Sequence, residues 1–261
     1  MSDCLILAAG EGTRLQPHTK NKPKALVPFL NKPLISYQLQ ILKSSNINNI
    51  AIITGYKAEK FSKLNYKVFH NKFFDSTNMV ESLFMARSFL KEAKNDVIIS
   101  YGDIVYEKKN LKIILETKGE ISVMVDSGWL DLWSIRNDNP LDDAETLKYG
   151  KNGNIIEVGK KPKSLKEIEG QYTGLIKISN NKIDEFISFY DQLDKTILYD
   201  NRPFKQMFMT TFLQLLIDAG WMVMPAIVKH GWLEIDTIDD LLLYEKLSEE
   251  RKLNIFWNKN E

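Results

Sequence analysis

The sequence has few of the residues that form covalent or metal cross-links. Of its 261 residues, one is a cysteine, Cys4, and three are histidines. A single cysteine excludes an intramolecular disulfide and a cysteine-based zinc site, and it suits a reducing compartment. The three histidines, His18, His70 and His230, are too scattered along the chain to indicate a histidine metal site.

Excess charge and long apolar runs are also lacking. The chain has 35 Lys and Arg against 34 Asp and Glu, a net charge of +1, so it lacks the bulk positive charge typical of nucleic-acid-binding proteins. No apolar run approaches the roughly 18 to 20 residues that span a bilayer, and no secretory signal pattern opens the sequence. We therefore expect a cytoplasmic protein that binds no nucleic acid and inserts into no membrane. The oligomeric state stays open.

What is present is typical of a folded globular chain, with 44% hydrophobic and 26% charged residues. Short apolar runs alternate with longer amphipathic segments, which indicates parallel strands covered by helices. Strands are predicted at 4–7, 50–54, 67–70, 97–100, 121–125, 175–178 and 222–226. Helices are predicted at 35–44, 58–64, 79–91, 111–118, 182–192, 204–219 and 238–248. The expected fold is α/β, a Rossmann-like mixed and mostly parallel sheet flanked by helices.

A small hairpin is predicted in the second half of the chain. Asn152 and Gly153 separate two short apolar segments at 146–149 and 155–158. Asn-Gly suits a type I′ turn, in which both central residues have positive φ. No stretch of the sequence has the composition of a linker between domains, so we expect one domain over residues 1–261.

A glycine-containing loop follows the first predicted strand. Gly10 and Gly12 have no Cβ and let backbone N–H groups approach phosphate oxygens, and Arg14 offers a planar set of donors. Lys24, after Pro23, adds a second cation. The spacing matches neither the dinucleotide fingerprint nor a P-loop. The glycines alone would fit an ordinary strand-to-helix turn, but with both cations the pattern indicates a polyphosphate site.

These residues resemble a known family. Leu-Ala-Ala-Gly-x-Gly-x-Arg-Leu at 7–15, followed by Lys-Pro-Lys-Ala-Leu at 22–26, resembles the N-terminal signature of nucleotidyltransferases that join a nucleoside triphosphate to a sugar phosphate or similar phosphorylated alcohol. Asp103, after Gly102, and Asp236, within Leu-Glu-Ile-Asp-Thr, resemble the family's carboxylates that hold Mg²⁺. Thr173-Gly174 and Lys160-Lys161-Pro162 resemble its substrate-side Thr-Gly and basic loop. The resemblance covers nearly the whole chain.

The run at 75–83 resembles the cytidylyltransferase branch of this family, which includes phosphocholine cytidylyltransferases. Segments 125–133 and 139–147 are similar to enzymes that transfer a cytidylyl group to phosphoglutamine. The resemblance implies Mg²⁺-dependent transfer of CMP from CTP to a small phosphorylated or phosphonate acceptor, with pyrophosphate released. It also implies a nucleotide-binding half at 1–125 and an acceptor-binding half at 126–261. The alternative is a sugar-1-phosphate nucleotidyltransferase that uses UTP, dTTP or GTP. A nucleotide sensor without turnover is disfavoured because Lys24, Asp103 and Asp236 are all present.

The resemblance and the residue chemistry together assign candidate roles. Arg14 would steady the β- and γ-phosphates and Lys24 the α-phosphoryl group, and no general base is needed because a phosphomonoester is largely ionised at pH 7. Asp103 and Asp236 would bind Mg²⁺, although either could instead cap a loop. The nucleotide site would comprise Leu7, Ala8, Ala9, Gly10, Glu11, Gly12, Thr13, Asn78, Ser82 and Gly102. The acceptor site would comprise Asp126, Trp129, Lys160, Lys161, Glu169 and Tyr172.

Two of these assignments have structural alternatives. Asn78 and Ser82 would share one face of a helix that starts near Asn78, but Asn78 could equally be its N-cap. Trp129, Trp133 and Arg136 fall at i, i+4 and i+7 if this part is helical. Core packing is the alternative for both tryptophans, and it is the favoured interpretation of Trp133.

Overall fold

The computed structural model describes residues 2–259 and contains a seven-stranded sheet flanked by helices. From edge to edge its strands are β14 (Val223–Val228), β8 (Ile121–Asp126), β11 (Gln171–Ile178), β6 (Asp96–Tyr101), β1 (Ser2–Ala8), β4 (Ile50–Thr54) and β5 (Lys67–His70). Within this sheet only β11 runs antiparallel to its neighbours β6 and β8. The predicted mixed, mostly parallel sheet is thus confirmed. Among residues 2–259, no helix is both long enough and apolar enough to cross a bilayer.

The strands are β1 (Ser2–Ala8), β2 (Pro28–Phe29), β3 (Lys32–Pro33), β4 (Ile50–Thr54), β5 (Lys67–His70), β6 (Asp96–Tyr101), β7 (Ile104–Tyr106), β8 (Ile121–Asp126), β9 (Leu147–Tyr149), β10 (Ile155–Val158), β11 (Gln171–Ile178), β12 (Leu198–Tyr199), β13 (Arg202–Pro203), β14 (Val223–Val228) and β15 (Trp232–Glu234). The α-helices are α1 (Leu34–Ser44), α2 (Met79–Met85), α3 (Arg87–Glu92), α4 (Lys108–Glu116), α5 (Trp129–Arg136), α6 (Ile183–Gln192), α7 (Met209–Asp218) and α8 (Ile238–Glu249).

The core lies on both faces of the sheet, and β1 shows why. Every residue of Ser2–Ala8 is buried. Because side chains alternate along a strand, Cys4 and Ile6 pack into one hydrophobic cluster while Leu5 and Leu7 pack into the other. A strand buried on both faces reads as a continuous apolar run, which is the pattern seen in the sequence.

Three predicted helices differ from the structure in detail. The segment 79–91 forms two helices, α2 and α3, which meet at Ala86, where the backbone N–H bonds to the carbonyl of Leu83 in a tightened turn. The segment 58–64 is a 3-10 helix. The segment 204–219 begins with a separate 3-10 turn and becomes α-helical at Met209. Apolar spacing identified these segments, but it does not separate 3-10 from α geometry.

The predicted hairpin is present as β9 and β10, but its turn differs from the expectation. Only Gly153 of the Asn-Gly pair has a positive φ, 76°. The loop spans residues 150–154 and is closed by the Gly150 N–H, which donates to the Asn154 carbonyl at 2.7 Å. The type I′ prediction is therefore wrong. A loop of this length lets Asn152 keep an ordinary φ.

A second antiparallel pair brings together two distant parts of the chain. β7 follows β6 directly and pairs with β15, with Ile104 opposite Glu234. The Ile235 N–H donates to the Asp103 carbonyl at 3.0 Å. α8 then begins with a capping box between Thr237 and Asp240. As a result, Asp103 and Asp236 lie side by side, although 133 positions separate them in the sequence.

Gln38 should contribute to stability because it ties α1 to the segment that carries Asp103. Its side chain is fully buried, donates to the carbonyls of Tyr101 (2.8 Å) and Ile104 (2.7 Å), and accepts from the Ser100 hydroxyl (2.8 Å). Gln38→Leu would leave these groups unpaired, and we expect it to lower the free energy of unfolding by about 2–4 kcal/mol in urea titrations. Gln40→Leu, at an exposed position of the same helix, is the control and should change stability by less than about 0.5 kcal/mol. Equal effects of the two substitutions would contradict this role.

Candidate functional site

A cavity opens where β1 and β6 end, at the carboxyl edge of the parallel strands. Ligands of open α/β sheets bind in such crevices. The structure brings together here most of the residues assigned to the nucleotide, with Lys24 and Asp103. The cavity is lined by Leu7, Ala8, Ala9, Gly10, Lys24, Ala25, Phe74, Thr77, Asn78, Met79, Ser82, Tyr101, Gly102 and Asp103. We call it the nucleotide cavity.

Glu11, Gly12 and Thr13 do not line this cavity. Gly12 has a φ of 66°, and a Cβ at this position would lie 2.8 Å from the Cβ of Lys24. The Thr19 hydroxyl donates to the Gly12 carbonyl at 2.9 Å. Gly12 is therefore required by a left-handed turn that packs directly against Lys24. Its contribution is to position that lysine.

Charged side chains from three parts of the chain meet beside the nucleotide cavity, whose lining includes two of them, Lys24 and Asp103. The Lys24 ammonium donates to Asp103 at 2.7 Å and to Asp236 at 2.5 Å, and Arg14 also pairs with Asp236. Burial alone would lower the pKa of Lys24, but the carboxylates of Asp103, Asp236 and Glu234 outweigh it and raise the pKa above its usual value. Lys24 therefore stays cationic at neutral pH. We call Lys24, Asp103 and Asp236 the charge cluster.

The carboxylates of the charge cluster fit a hard divalent cation. Asp103 Oδ1 is buried and has no hydrogen-bond partner among residues 2–259, so one oxygen is free to bind an ion. Within the same residues, no three His, Cys, Asp or Glu side chains form a metal-binding group. Two carboxylates are nonetheless sufficient for Mg²⁺, which usually keeps several waters and completes its coordination with substrate phosphates.

The far end of the nucleotide cavity is formed by the loop before α2 and by the first turns of that helix. Asn78 is the N-cap of α2, since its side-chain oxygen accepts the Met79 N–H at 2.7 Å. Ser82 also lines the cavity, as predicted. Phe74, Thr77 and Met79 line the cavity as well and were not assigned from the sequence, because a resemblance over the run 75–83 does not show which side chains in or beside it face a cavity.

A second cavity adjoins the first and shares Met79 and Tyr101 with it. It combines aromatic rings with carboxylates, and its one cationic lining side chain, within the part of the chain described, is Arg14. Tyr172, assigned to the acceptor, lies here, and so does Trp133, for which core packing was favoured. The lining residues are Arg14, Met79, Tyr101, Trp133, Asp143, Glu145, Gln171, Tyr172, Thr173, Gly174, Phe208, Thr210, Trp232, Glu234 and Asp236. We call it the acidic cavity.

Two carboxylates of the acidic cavity, Glu145 and Glu234, lie in poorly solvated surroundings. Burial, together with Asp143 and Asp200, raises the pKa of Glu145 to about 7. Burial, together with Asp103, raises the pKa of Glu234 to about 8. A carboxylate whose pKa is raised in this way is stabilised strongly by a bound cation, because a nearby positive charge favours its ionised form.

Arg136 supports the acidic cavity from behind. Its guanidinium binds both carboxylate oxygens of Asp240, at 2.8 and 3.1 Å, and lies 5.1 Å from the ring centre of Trp133. Asp240 in turn accepts the backbone N–H groups of Asp236 and Thr237, each at 3.0 Å. Arg136 thus connects the aromatic wall of the acidic cavity to the turn that carries Asp236.

Asp126 and Trp129 were predicted to contact the acceptor, and the structure places neither in a cavity. Asp126 is fully buried, and its carboxylate accepts three N–H groups, from the backbones of Gly128 and His230 and from the indole of Trp232. Trp129 is buried against Trp133. The structure therefore brings neither to the acidic cavity: hydrogen bonds occupy the Asp126 carboxylate and Trp129 is packed in the core, which residue type alone does not reveal.

Lys160, Lys161 and Glu169 also lie outside the acidic cavity. The Lys160 ammonium pairs with Glu157 at 3.1 Å. The Lys161 ammonium donates to the carbonyls of Leu141 and Asp142 at 2.6 and 2.7 Å. Glu169 accepts the backbone N–H of Tyr149 at 2.5 Å. The structure thus does not bring these three residues to the acidic cavity, and each binds other parts of the chain.

Comparison with known proteins agrees with this geometry. Residues 3–129 match the family model described as Nucleotidyl transferase. Over 247 residues, 92% of this chain and 97% of the relative, the chain is 45% identical to a CTP:phosphoglutamine cytidylyltransferase of Campylobacter jejuni. The chain belongs to the nucleotidyl transferase family. It is thus an enzyme, a nucleotidyltransferase, and the family resemblance of its N-terminal signature is confirmed.

Two further comparisons place the nucleotidyltransferase among its relatives. It is 43% identical to a choline-phosphate cytidylyltransferase of Streptococcus pneumoniae over 108 residues, which are 40% of this chain and 45% of that one. The solved structure of the CTP:phosphocholine cytidylyltransferase from Streptococcus pneumoniae superposes with a TM-score of 0.69 at 24% identity, covering 96% of this chain and 99% of that chain. At that identity the superposition supports the fold alone.

The structural role of Asp126 leads to a stability prediction. Asp126→Ala would leave three N–H groups, one of them the buried indole of Trp232, without the carboxylate that they bind, and we expect it to lower the free energy of unfolding by about 3 kcal/mol or more in urea titrations. Asp138→Ala, at an exposed position nearby, should change it by less than about 0.5 kcal/mol. Full stability of Asp126→Ala combined with a raised KM for the acceptor alone would restore Asp126 as an acceptor contact.

Proposed function

We propose that this nucleotidyltransferase transfers CMP from CTP to a small phosphate or phosphonate acceptor that carries an ammonium group. The observation that carries the proposal is the acidic cavity beside the nucleotide cavity. Its lining includes aromatic rings, among them Trp133, Trp232, Tyr101 and Tyr172, and, besides Asp236 of the charge cluster, three carboxylates, Asp143, Glu145 and Glu234. Aromatic faces and carboxylates together attract organic cations. The names of the cytidylyltransferase relatives, which act on phosphoglutamine and on choline phosphate, support the same chemistry.

The charge distribution favours this acceptor over a hexose-1-phosphate, the alternative from the sequence. A sugar hydroxyl offers no positive charge to Asp143, Glu145 or Glu234, whereas an ammonium group does. The buried Trp133 Nε1 has no partner among residues 2–259, so it could donate to a further acceptor atom of the ligand. We propose that the two halves of the chain bind different substrates: residues 1–125 supply most of the nucleotide contacts and residues 126–261 most of the acceptor contacts.

In the proposed reaction, an oxygen of the acceptor phosphate attacks the α-phosphorus of CTP. A new P–O bond forms as the bond from the α-phosphorus to the bridging oxygen breaks, and pyrophosphate leaves. The nucleophile is already ionised near neutral pH, so the site needs no general base. Lys24 would contact the α-phosphoryl group and Arg14 the departing phosphates, which places fixed positive charge where negative charge accumulates. Asp103 and Asp236 would hold Mg²⁺, which neutralises phosphate charge when bound.

Pyrophosphate release tests the proposed function directly. The enzyme is assayed with Mg²⁺ and each of CTP, UTP, ATP, GTP and dTTP, together with phosphocholine, phosphoglutamine, aminoethylphosphonate or a hexose-1-phosphate. We expect turnover with CTP and an ammonium-bearing acceptor. Turnover restricted to another nucleotide and a hexose-1-phosphate would contradict the proposal.

Lys24 supplies a second test of the mechanism. Lys24→Ala removes the cation that neutralises the α-phosphoryl group, and we expect kcat/KM to fall by about 100-fold or more, the range for losing one electrostatic contact to a transition state. Lys22→Ala, two residues away at a partly exposed position outside the nucleotide cavity, should stay within a fewfold of wild type. If Lys24→Ala also stays within a fewfold, the assigned role is wrong.

Glu145 should make acceptor affinity depend on pH. Burial raises its pKa to about 7, and a cationic acceptor prefers the ionised carboxylate, so affinity should increase as the pH rises from 6 to 8. The acceptor phosphate titrates near pH 6 in every variant, so the informative quantity is the difference between profiles of KM for the acceptor. In Glu145→Gln, the change in KM for the acceptor near pH 7 should disappear from the pH profile. Glu169→Gln, outside the cavity, should retain it, and identical profiles for Glu145→Gln and wild type would contradict the role of Glu145.

A further inference from the structure

Asn71 is a buried polar residue that none of the roles above uses. It follows β5, is fully buried, and lies behind the far end of the nucleotide cavity. Its side-chain oxygen accepts the backbone N–H of Phe73 at 2.9 Å. A backbone N–H can only donate, so this bond fixes which end of the Asn71 amide is oxygen and which is nitrogen.

With that orientation fixed, the Asn71 amide nitrogen donates to two hydroxyl oxygens. It lies 2.8 Å from Thr77 Oγ1 and 2.9 Å from Ser82 Oγ. The Thr77 hydroxyl in turn donates a hydrogen bond to the Phe73 carbonyl at 2.7 Å. The Ser82 hydroxyl accepts from Asn71 and finds no acceptor for its own proton among residues 2–259.

Ser82 therefore faces the nucleotide cavity as a hydrogen-bond donor. Its side chain is 5% exposed, and it belongs to the cavity lining. A hydroxyl can donate one proton and accept at its lone pairs, and here Asn71 occupies an accepting position. Asn71 fills one of the two lone-pair positions, and the Ser82 proton has no acceptor of its own within the described part of the chain, so a ligand atom that accepts this proton is the one that satisfies the hydroxyl.

We propose that Asn71 and Ser82 select the base: Asn71 orients the Ser82 hydroxyl so that it donates to the ring nitrogen N3 of cytosine. Cytosine N3 carries a lone pair that accepts the Ser82 proton, whereas N3 of uracil and thymine carries a proton and cannot accept it, so the buried Ser82 proton would be left without an acceptor. Ser82 is then a contact residue and Asn71 a positioning residue that acts through it. The inference rests on the proposed function, because it assumes that the base lies at the Phe74 and Ser82 end of the cavity.

Nucleotide binding without an acceptor tests the inference, because no turnover is needed. The probes are CTP, UTP and 3-deaza-CTP, in which a C–H group replaces N3, and affinity is measured by calorimetry with Mg²⁺. We expect the wild-type protein to bind 3-deaza-CTP and UTP each about tenfold or more weakly than CTP, as for loss of a buried hydrogen bond. Ser82→Ala should bind CTP and 3-deaza-CTP within about twofold of each other. Ser88→Ala, at an exposed serine of α3, should behave like wild type.

The role of Asn71 is tested by replacing its amide group, which donates to Ser82, with a carboxylate, which can only accept. In Asn71→Asp a carboxylate oxygen accepts the Ser82 proton, so the hydroxyl would offer a lone pair to the base. We expect the ratio of UTP affinity to CTP affinity to rise at least tenfold over wild type. General loosening of the fold would weaken both nucleotides without raising this ratio. If the variant does not fold, the comparison of CTP with 3-deaza-CTP in wild type and Ser82→Ala still decides the inference.

The outcomes separate this inference from the proposed function. A wild-type preference for CTP over UTP, combined with equal binding of CTP and 3-deaza-CTP, would overturn the inference and leave cytidylyl transfer intact. Absence of any preference for CTP would overturn both. A preference for CTP over 3-deaza-CTP that persists unchanged in Ser82→Ala would show that another residue reads N3 and would also overturn the inference.

Discussion

The contact of the Lys24 ammonium with Asp103 and Asp236 is the interaction on which the site depends. Three distant parts of the chain supply it, and each is held by its own structural device. The left-handed turn at Gly12 packs on Lys24. Gln38 anchors the segment before Asp103. The capping box of α8 fixes the backbone at Asp236. Much of the fold around the sheet edge serves to bring one cation and two carboxylates together.

The two cavities suit ligand groups of opposite charge, and the charge cluster lies between them. On the nucleotide side, Lys24 and the open backbone of the glycine loop suit phosphates. On the acceptor side, Asp143, Glu145 and Glu234 suit a positive group. Arg136 reduces the repulsion among these carboxylates, because its guanidinium pairs with Asp240 and lies 3.7 Å from Glu234. An acceptor with a phosphate at one end and an ammonium group at the other would match both sides at once.

The sequence predicts the sheet well because strands and helices depend on local patterns, and most of the residues that it assigns to the nucleotide come together at one cavity. Apolar runs such as 50–54 mark buried strands, and the spacing of Gly10, Arg14 and Lys24 marks a phosphate loop. The acceptor side was predicted less well because its residues are selected by burial and long-range packing. Asp126 has the chemistry of a ligand contact, yet three N–H groups already occupy its carboxylate. Asp143 and Glu145 lie in segment 139–147, which resembles the phosphoglutamine enzymes, but nothing in the sequence singles out these two carboxylates within it.

The most direct test of this account is a crystal structure of the enzyme with a non-hydrolysable CTP analogue and Mn²⁺, located by its anomalous signal. The account predicts that the ion contacts both Asp103 and Asp236, and that the Lys24 ammonium moves from these carboxylates to a phosphate oxygen. It also predicts that the base lies against Ser82. An ion bound elsewhere, with Lys24 still bridging the two carboxylates and the nucleotide outside the cavity, would contradict it.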